Sequence, residues 1–151
     1  MSNESKLAAG TIVSFSTNLE TPAFTVIPKI TNVGGIGLMS EAKENTTLSD
    51  TQKTYSAGLQ DAPDKSIKGQ YLGSNVDQTA FRDAAKLNSS MIIRIEFPDK
   101  PDATGTGTVA EFNIKTLGFE MDEPTGEDWL MFTINAKQNT DVTWTDPVAG
   151  V

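Results

Sequence analysis

The chain reads as a mainly β, antiparallel α+β protein with one helix, and three observations lead there. Short runs rich in Val, Ile, Thr and Phe alternate apolar and polar positions, as half-buried strands do. Only one segment, around 74–88, repeats its apolar residues at helical spacing. The order is strands, a long polar excursion, a strand, the helix, a strand and a long hairpin, without the strand–helix alternation that builds a parallel sheet.

Taken in order, residues 1–9 form a polar arm without periodicity. Residues 11–17 are β-branched and aromatic and make a strand. Pro22 lies in the turn that follows, because proline fixes φ and holds its neighbour extended. Residues 24–27 return as the second arm of a hairpin, and 30–33 continue past Pro28 as an edge or bulged strand. Gly34-Gly-Ile-Gly37 breaks the pattern. Residues 39–66 are rich in Ser, Thr, Asn, Gln and Asp and read as a long exposed excursion, with a strand over 37–44 and isolated Leu48, Tyr55 and Leu59. Lacking a core-facing period, residues 40–64 are expected to be mobile in an isolated subunit.

Residues 66–72 alternate as a strand. Ser74, with Asp77 three residues on, reads as a capping-box start of the helix. Val76, Ala80, Phe81, Ala84 and Leu87 recur at its spacing, so Val76, Phe81, Ala84 and Leu87 are expected to pack on a sheet, with Gln78, Arg82 and Lys86 opposite. Met91, Ile93, Ile95 and Phe97 share one face of the next strand. Residues 108–121 read as one long strand whose apolar set moves from even positions (Phe112, Ile114) to odd ones (Leu117, Phe119, Met121). That change of face requires a bulge, and Gly118 stands where one is needed. An acidic turn at 122–128 leads to a return strand with Leu130, Phe132, Ile134 and Ala136 inward, and a short strand is expected at 142–144.

The 151 residues suffice for a single domain spanning 1–151, with 39–66 as its long loop. There is no cysteine and no histidine, which removes thiol chemistry, the commonest general base and the commonest transition-metal ligand. No basic segment with an apolar run marks a signal peptide, and no apolar stretch is long enough to span a membrane, so the expected compartment is cytoplasm-like and no membrane partner is expected. The net charge of −8 lies entirely in residues 96–151, where eleven acids face Lys100, Lys115 and Lys137. The charge is expected on the long strands, as a folded surface that repels other polyanions.

The acids Asp99, Asp102, Asp122, Glu123, Glu127 and Asp128 read as solvated loop tips, since the calcium-loop signature is absent. Paired carboxylates for glycoside hydrolysis need an aromatic-lined cleft, which two Trp and two Tyr do not suggest. The glycine cluster matches neither a dinucleotide fingerprint nor a phosphate loop. The basic residues are scattered singly, so no nucleic-acid patch is offered. Neither an enzyme nor a cofactor or metal site is expected, and the residues alone reach an acidic assembly or interaction protein.

Three segments carry a resemblance. They are Ile27-Pro-Lys-Ile-Thr-Asn-Val-Gly-Gly35, then the excursion at 40–64 leading into Lys65-Ser-Ile-Lys-Gly-Gln-Tyr71, and then Gly107-Thr-Val-Ala-Glu-Phe-Asn-Ile-Lys-Thr-Leu-Gly118 with Trp129-Leu-Met-Phe-Thr-Ile-Asn135 after the acidic turn. In these segments and in layout the chain resembles the major tail tube proteins of long, non-contractile-tailed bacteriophages. The resemblance implies an antiparallel β-sandwich or split barrel flanked by one helix, closing in sixes into rings that stack around a pore. It implies partners in the tape measure, tail terminator and tail tip proteins, an acidic lumen, supplied by the bias of residues 96–151, that conducts phage DNA to the host during ejection, a place in the virion tail after assembly in the host cytoplasm, and no C-terminal decoration domain. By the same resemblance the long loop reaches the neighbouring ring, with Leu48, Tyr55 and Leu59 as its contacts. Arg94, Glu96, Glu111, Asn113 and Lys115, on the polar strand faces, are the lumen candidates. Inner-tube proteins of contractile tails and of type VI secretion share that fold. A small carbohydrate- or protein-binding β-sandwich, using Trp129 and Trp144, is the reading from another class.

Overall fold

The structure, a computed structural model, describes residues 10–37, 39–49, 51–61 and 64–150, apart from the side chains of residues 41 and 59–61. The polar arm expected at 1–9 lies outside the described residues. Strand β1 (Ile12–Ser16) pairs antiparallel with β2 (Thr25–Val26), giving the expected N-terminal hairpin. Its turn is held by Asn18, whose Oδ1 accepts from Glu20 N and Thr21 N at 3.0 Å each. Strand β3 (Ile30–Asn32) follows as a bulged edge strand, as Pro28 suggested.

The excursion at 39–66 is more regular than its composition indicated. Strands β4 (Met39–Glu44) and β5 (Tyr55–Asp61) form a separate two-stranded hairpin, referred to below as the arm. The β4 strand lies where a strand was expected over 37–44. The β5 strand was masked by Ser, Gly and Gln, which weaken alternation without preventing a ladder. Strand β6 (Lys65–Gln70), helix α1 (Val76–Lys86), β7 (Ser90–Glu96), β8 (Val109–Met121), β9 (Met131–Gln138) and β10 (Thr143–Thr145) complete the chain.

The main sheet runs β2-β1-β7-β8-β9-β6-β3, with β10 beside the start of β8. Its two edges, β2 and β3, are consecutive in the chain and separated only by Ile27, Pro28 and Lys29. Four residue steps reach at most about 14 Å. A flat sheet of this order would hold its edges roughly 29 Å apart at about 4.8 Å per strand. The sheet must therefore curl until its edges nearly meet, which makes an open, split barrel. Lys29 takes φ 61° in this link, and its carbonyl accepts from Gln70 N at 2.9 Å. Gly69 has to be glycine here, because a Cβ at that position would lie 2.6 Å from Lys29 O.

The second turn of the curl lies in β8. Its register slips between Thr116 and Phe119, and Gly118 sits between them at φ 122°, a conformation L side chains rarely adopt. Before the slip Ala110, Phe112, Ile114 and Thr116 face inward. After it Phe119 does, stacking on Phe132 at 5.8 Å. Leu117, expected inward, is exposed, because the change of face falls after it. The expected core residues Ile93, Ile95, Phe112, Ile114, Phe132 and Ile134 are all buried.

Helix α1 lies against this curl, and its inward face differs from the expected one. Phe81 and Ala85 are fully buried, Gln78 is buried, and Ala84 packs half-buried beside them. Val76 and Leu87 are 81% and 79% exposed. At about 100° per residue both lie more than 110° from Phe81 around the axis, so the apolar stripe they suggested runs along the wrong side. Gln78 takes the inward place because its amide closes three backbone valences: Oε1 accepts from Leu72 N at 2.5 Å, and Nε2 donates to Gln70 O at 2.8 Å and Pro28 O at 3.3 Å. The N-cap is Asn75 rather than Ser74, its Oδ1 accepting from Gln78 N at 2.9 Å. Phe81 meets Phe15 at 5.1 Å, and Thr116 Oγ1 donates to Ala85 O at 3.2 Å.

Phe81→Ala should cost about 3–5 kcal/mol in denaturant unfolding, the usual value for truncating a buried ring. Leu87→Ser should change stability by no more than about 0.5 kcal/mol. Equal effects from the two would contradict the observed helix face.

Candidate functional site

The sequence-derived candidates fall into two groups, and the structure keeps them apart. Arg94 and Glu96 on β7 and Glu111, Asn113 and Lys115 on β8 point to the same outer face of adjacent strands, because each alternates with a buried neighbour. Arg94 stands opposite Glu111 in register, with 3.7 Å between Nε and Oε1, and its guanidinium lies 5.6 Å from the Phe24 ring centroid. Ile92 stands opposite Asn113, whose backbone N–H donates to Thr140 Oγ1 at 2.9 Å. Lys115 faces Lys137 on β9, and Lys137 pairs with Asp64. The charges on this face are locally balanced, and Ile12, Val26 and Ile92 stand among them.

The acidic surplus is therefore not on the strands, contrary to the expectation from sequence. Of the eleven acids after residue 95, only Glu96, Glu111 and Glu120 lie in strands. The rest gather in loops at the two ends of β8. At one end are Asp122, Glu123, Glu127 and Asp128, in the turn to β9. At the other are Asp99 and Asp102, in the loop entering β8, with Asp141 and Asp146 in the segments on either side of β10. Turns favour Asp for its short backbone-bonding side chain, and that preference placed the charge.

Two of these carboxylates hold the structure. Asp99 accepts from Thr108 Oγ1 at 2.6 Å and Thr108 N at 2.7 Å, and these bonds hold its carboxyl below the usual range. Asp102 accepts from Gly150 N at 3.1 Å and from Thr104, and the Gly150 bond is the main reason its carboxyl is lowered. Asp99 thus closes the loop on itself, while Asp102, the Thr106–Val148 bridge and the stacking of Trp144 on Phe97 pin the C-terminal segment across the mouth of the 98–107 loop.

The second group is on the arm. Leu48 at the tip is fully exposed and Tyr55 is exposed on β5, so neither is covered by its own chain. The side chain of Leu59 lies outside the described residues. Sequence reasoning passed over Lys65, which roots the arm in the barrel. It is 1% exposed, its ammonium lies 5.2 Å from the Phe112 ring centroid with no hydrogen-bond acceptor among the described residues, and burial pushes its pKa down. Its alternation with Ile67 was the available signal, since both fall on the inward face of β6. Among the described residues no cluster of His, Cys, Asp or Glu has the arrangement of a metal site, and no helix is long and apolar enough to cross a membrane.

No protein-family model and no curated protein matches the sequence. Solved structures do match over nearly the whole chain. A chain of the sixfold-symmetrised baseplate of the anti-feeding prophage aligns with TM-score 0.73 at 11% identity, covering 97% of this chain and 98% of that one. A chain of the sheath/tube terminator of PVC, an extracellular contractile injection system, aligns with TM-score 0.71 at 13% identity, over 95% and 99%. This chain has the fold of those assembly components. The tail of an empty GTA particle, refined with C6 symmetry, adds a third likeness at TM-score 0.66 and 10% identity, over 93% and 99%.

Asp99 and Asp102 yield a pH prediction. Both pKa values are lowered by folding, so their contribution is present above the ordinary carboxylate range and is lost as pH falls through the folded values. Asp99→Asn should flatten the acid limb of the stability profile and leave the neutral plateau's slope unchanged. An unaltered acid limb would show that the Thr108 bonds do not hold the loop in solution.

Proposed function

We propose that this chain is a structural tail tube subunit, six copies of which close into a ring and whose rings stack into the tube of a phage-like tail. The observation that carries the reading is the two-way, near-complete coverage by components of assemblies with sixfold symmetry. The arm supports it. An isolated two-stranded hairpin is at best marginally stable in water, and among the described residues this one pairs with no strand of the main sheet. Its exposed apolar side chains therefore need cover from another chain, and a neighbouring ring supplies it. The partners are then other copies of the chain, together with tape measure, terminator and tip proteins, and the location is the virion tail.

The polar outer face with Arg94, Glu96, Glu111, Asn113 and Lys115 is the surface we assign to the lumen. A mixed-sign wall suits the passage of DNA, since phosphates meet neither an uninterrupted row of cations nor a dense field of acids. A non-contractile tail is the first reading, from the sequence resemblance. The inner tube of a contractile system is the second, favoured by the likeness to PVC chains.

Electron microscopy of the purified protein should show tubes of uniform width with a regular axial repeat, and a persistent monomer would contradict the proposal. Replacing residues 40–61 by a short Gly-Ser link should leave a folded monomer that forms no tubes, and normal tubes from that variant would remove the arm from assembly. Glu96→Lys with Asn113→Lys should permit tubes of normal length yet slow DNA ejection, because the added cations would hold phosphates. Unchanged ejection would put this face outside the DNA path.

A further inference from the structure

Two polar atoms are buried at the same end of the barrel interior. Lys65 opens β6 and Gln138 closes β9, both on the inward faces of their strands, at 1% and 9% exposure. Register sets Lys65 opposite Ala136, so Gln138 is the next inward residue along β9, a diagonal neighbour at about 7–8 Å and within reach of a long side chain. The lysine stem packs on the backbone of Gly34, where a Cβ would lie 3.5 Å from its Cδ. Its ammonium reaches the Phe112 ring on β8, and Gln138, opposite Ile114, is the inward β9 residue beside that route. Among the described residues neither Lys65 Nζ nor Gln138 Oε1 has a hydrogen-bond partner. The amide is fixed in this orientation, because its Nε2 donates to Thr140 O at 2.8 Å while Thr140 Oγ1 accepts from Asn113 N at 2.9 Å.

We infer that Lys65 Nζ and Gln138 Oε1 bind a resident water inside the barrel, and that this water fastens the root of the arm to the C-terminal end of β9. A buried ammonium and a buried amide oxygen are both costly when they bond to nothing, and internal waters settle where they serve about two to four such groups. Here a donor stands beside an acceptor, so the occupant must accept from one and donate to the other. Chloride or a carboxylate meets the ammonium but is repelled by the amide oxygen, and a cation does the reverse. Phe112, Ile114 and Ala136 beside the pair are buried and apolar, and water is the smallest molecule that makes both bonds. Lys65 is the first strand residue after the arm, and Gln138 leads through Thr140 to β8, so the bridge joins three elements at one point. The site stands whether or not subunits polymerise as proposed above.

Oxygen-17 relaxation dispersion on the dispersed subunit counts its long-lived internal waters. Lys65→Met and Gln138→Met both keep an unbranched stem, and each should remove one long-lived water from the count of the unsubstituted protein. A count unchanged in either variant would overturn the site. Unfolding equilibria give a second readout. The two substitutions should be coupled, because the first already frees the water. The double variant should therefore unfold at least about twofold less readily than independent effects would give. The lost Gln138–Thr140 bond cancels in that cycle, and independent effects would overturn the bridge. A chloride dependence of stability at constant ionic strength that vanishes in Lys65→Met would put an anion at the ammonium and overturn the water.

Discussion

A link of three residues, Ile27, Pro28 and Lys29, sets the shape of this molecule. It joins strands that lie at opposite edges of the main sheet, so that sheet has to curl far enough for its edges to approach. Three other structural features serve that closure. Gly69 makes room for the Lys29 carbonyl, Gln78 ties the helix to both Pro28 and Gln70, and Gly118 lets β8 turn the second corner. Ile27 is buried in the middle of the link and packs with the core, so the connection is anchored by apolar burial as well as by hydrogen bonds. Curling gathers one face of each strand into a core that α1 covers, and it turns the opposite faces outward, where Arg94, Glu96, Glu111, Asn113 and Lys115 stand among the exposed apolar side chains Ile12, Val26 and Leu117.

The distribution of charge follows from that architecture. Strand faces exposed by the curl carry acids and bases in near balance, with Arg94 set against Glu111 across the β7–β8 ladder and Lys137 against Asp64. Surface pairs of this kind contribute little to stability, at most about 1 kcal/mol each. Their effect is to keep the sheet surface free of a single-sign field. The acidic excess is displaced to the ends of β8, where carboxylates cap loops.

Most of the fold was legible because β-branched alternation is a strong signal when one face of a strand is buried. The N-terminal hairpin, the edge strand after Pro28, the long β8–β9 hairpin and the bulge at Gly118 all follow from it. The failures have specific causes. Val76 and Leu87 looked like core because apolarity alone cannot tell a stripe from the residues beside it, while the helix face was set by Phe81 together with a glutamine whose partners are backbone atoms distant in sequence. The β5 strand lacks a readable alternation because, where its side chains are described (residues 55–58), neither face is buried. Lys65 was invisible as a core residue because its side-chain type argued for solvent. The charge was assigned to strands because its concentration in the last third of the chain coincides with them in sequence though not in space.

In the assembly we propose, a preformed split barrel offers an arm that its own chain does not cover. Hydrogen–deuterium exchange on dissociated subunits and on assembled tubes decides whether it does. Backbone amides of 40–60 should exchange rapidly in the free subunit and become strongly protected in the tube, while those of β7, β8 and β9 are protected in both. Protection of the arm in the free subunit equal to that in the tube would contradict the account.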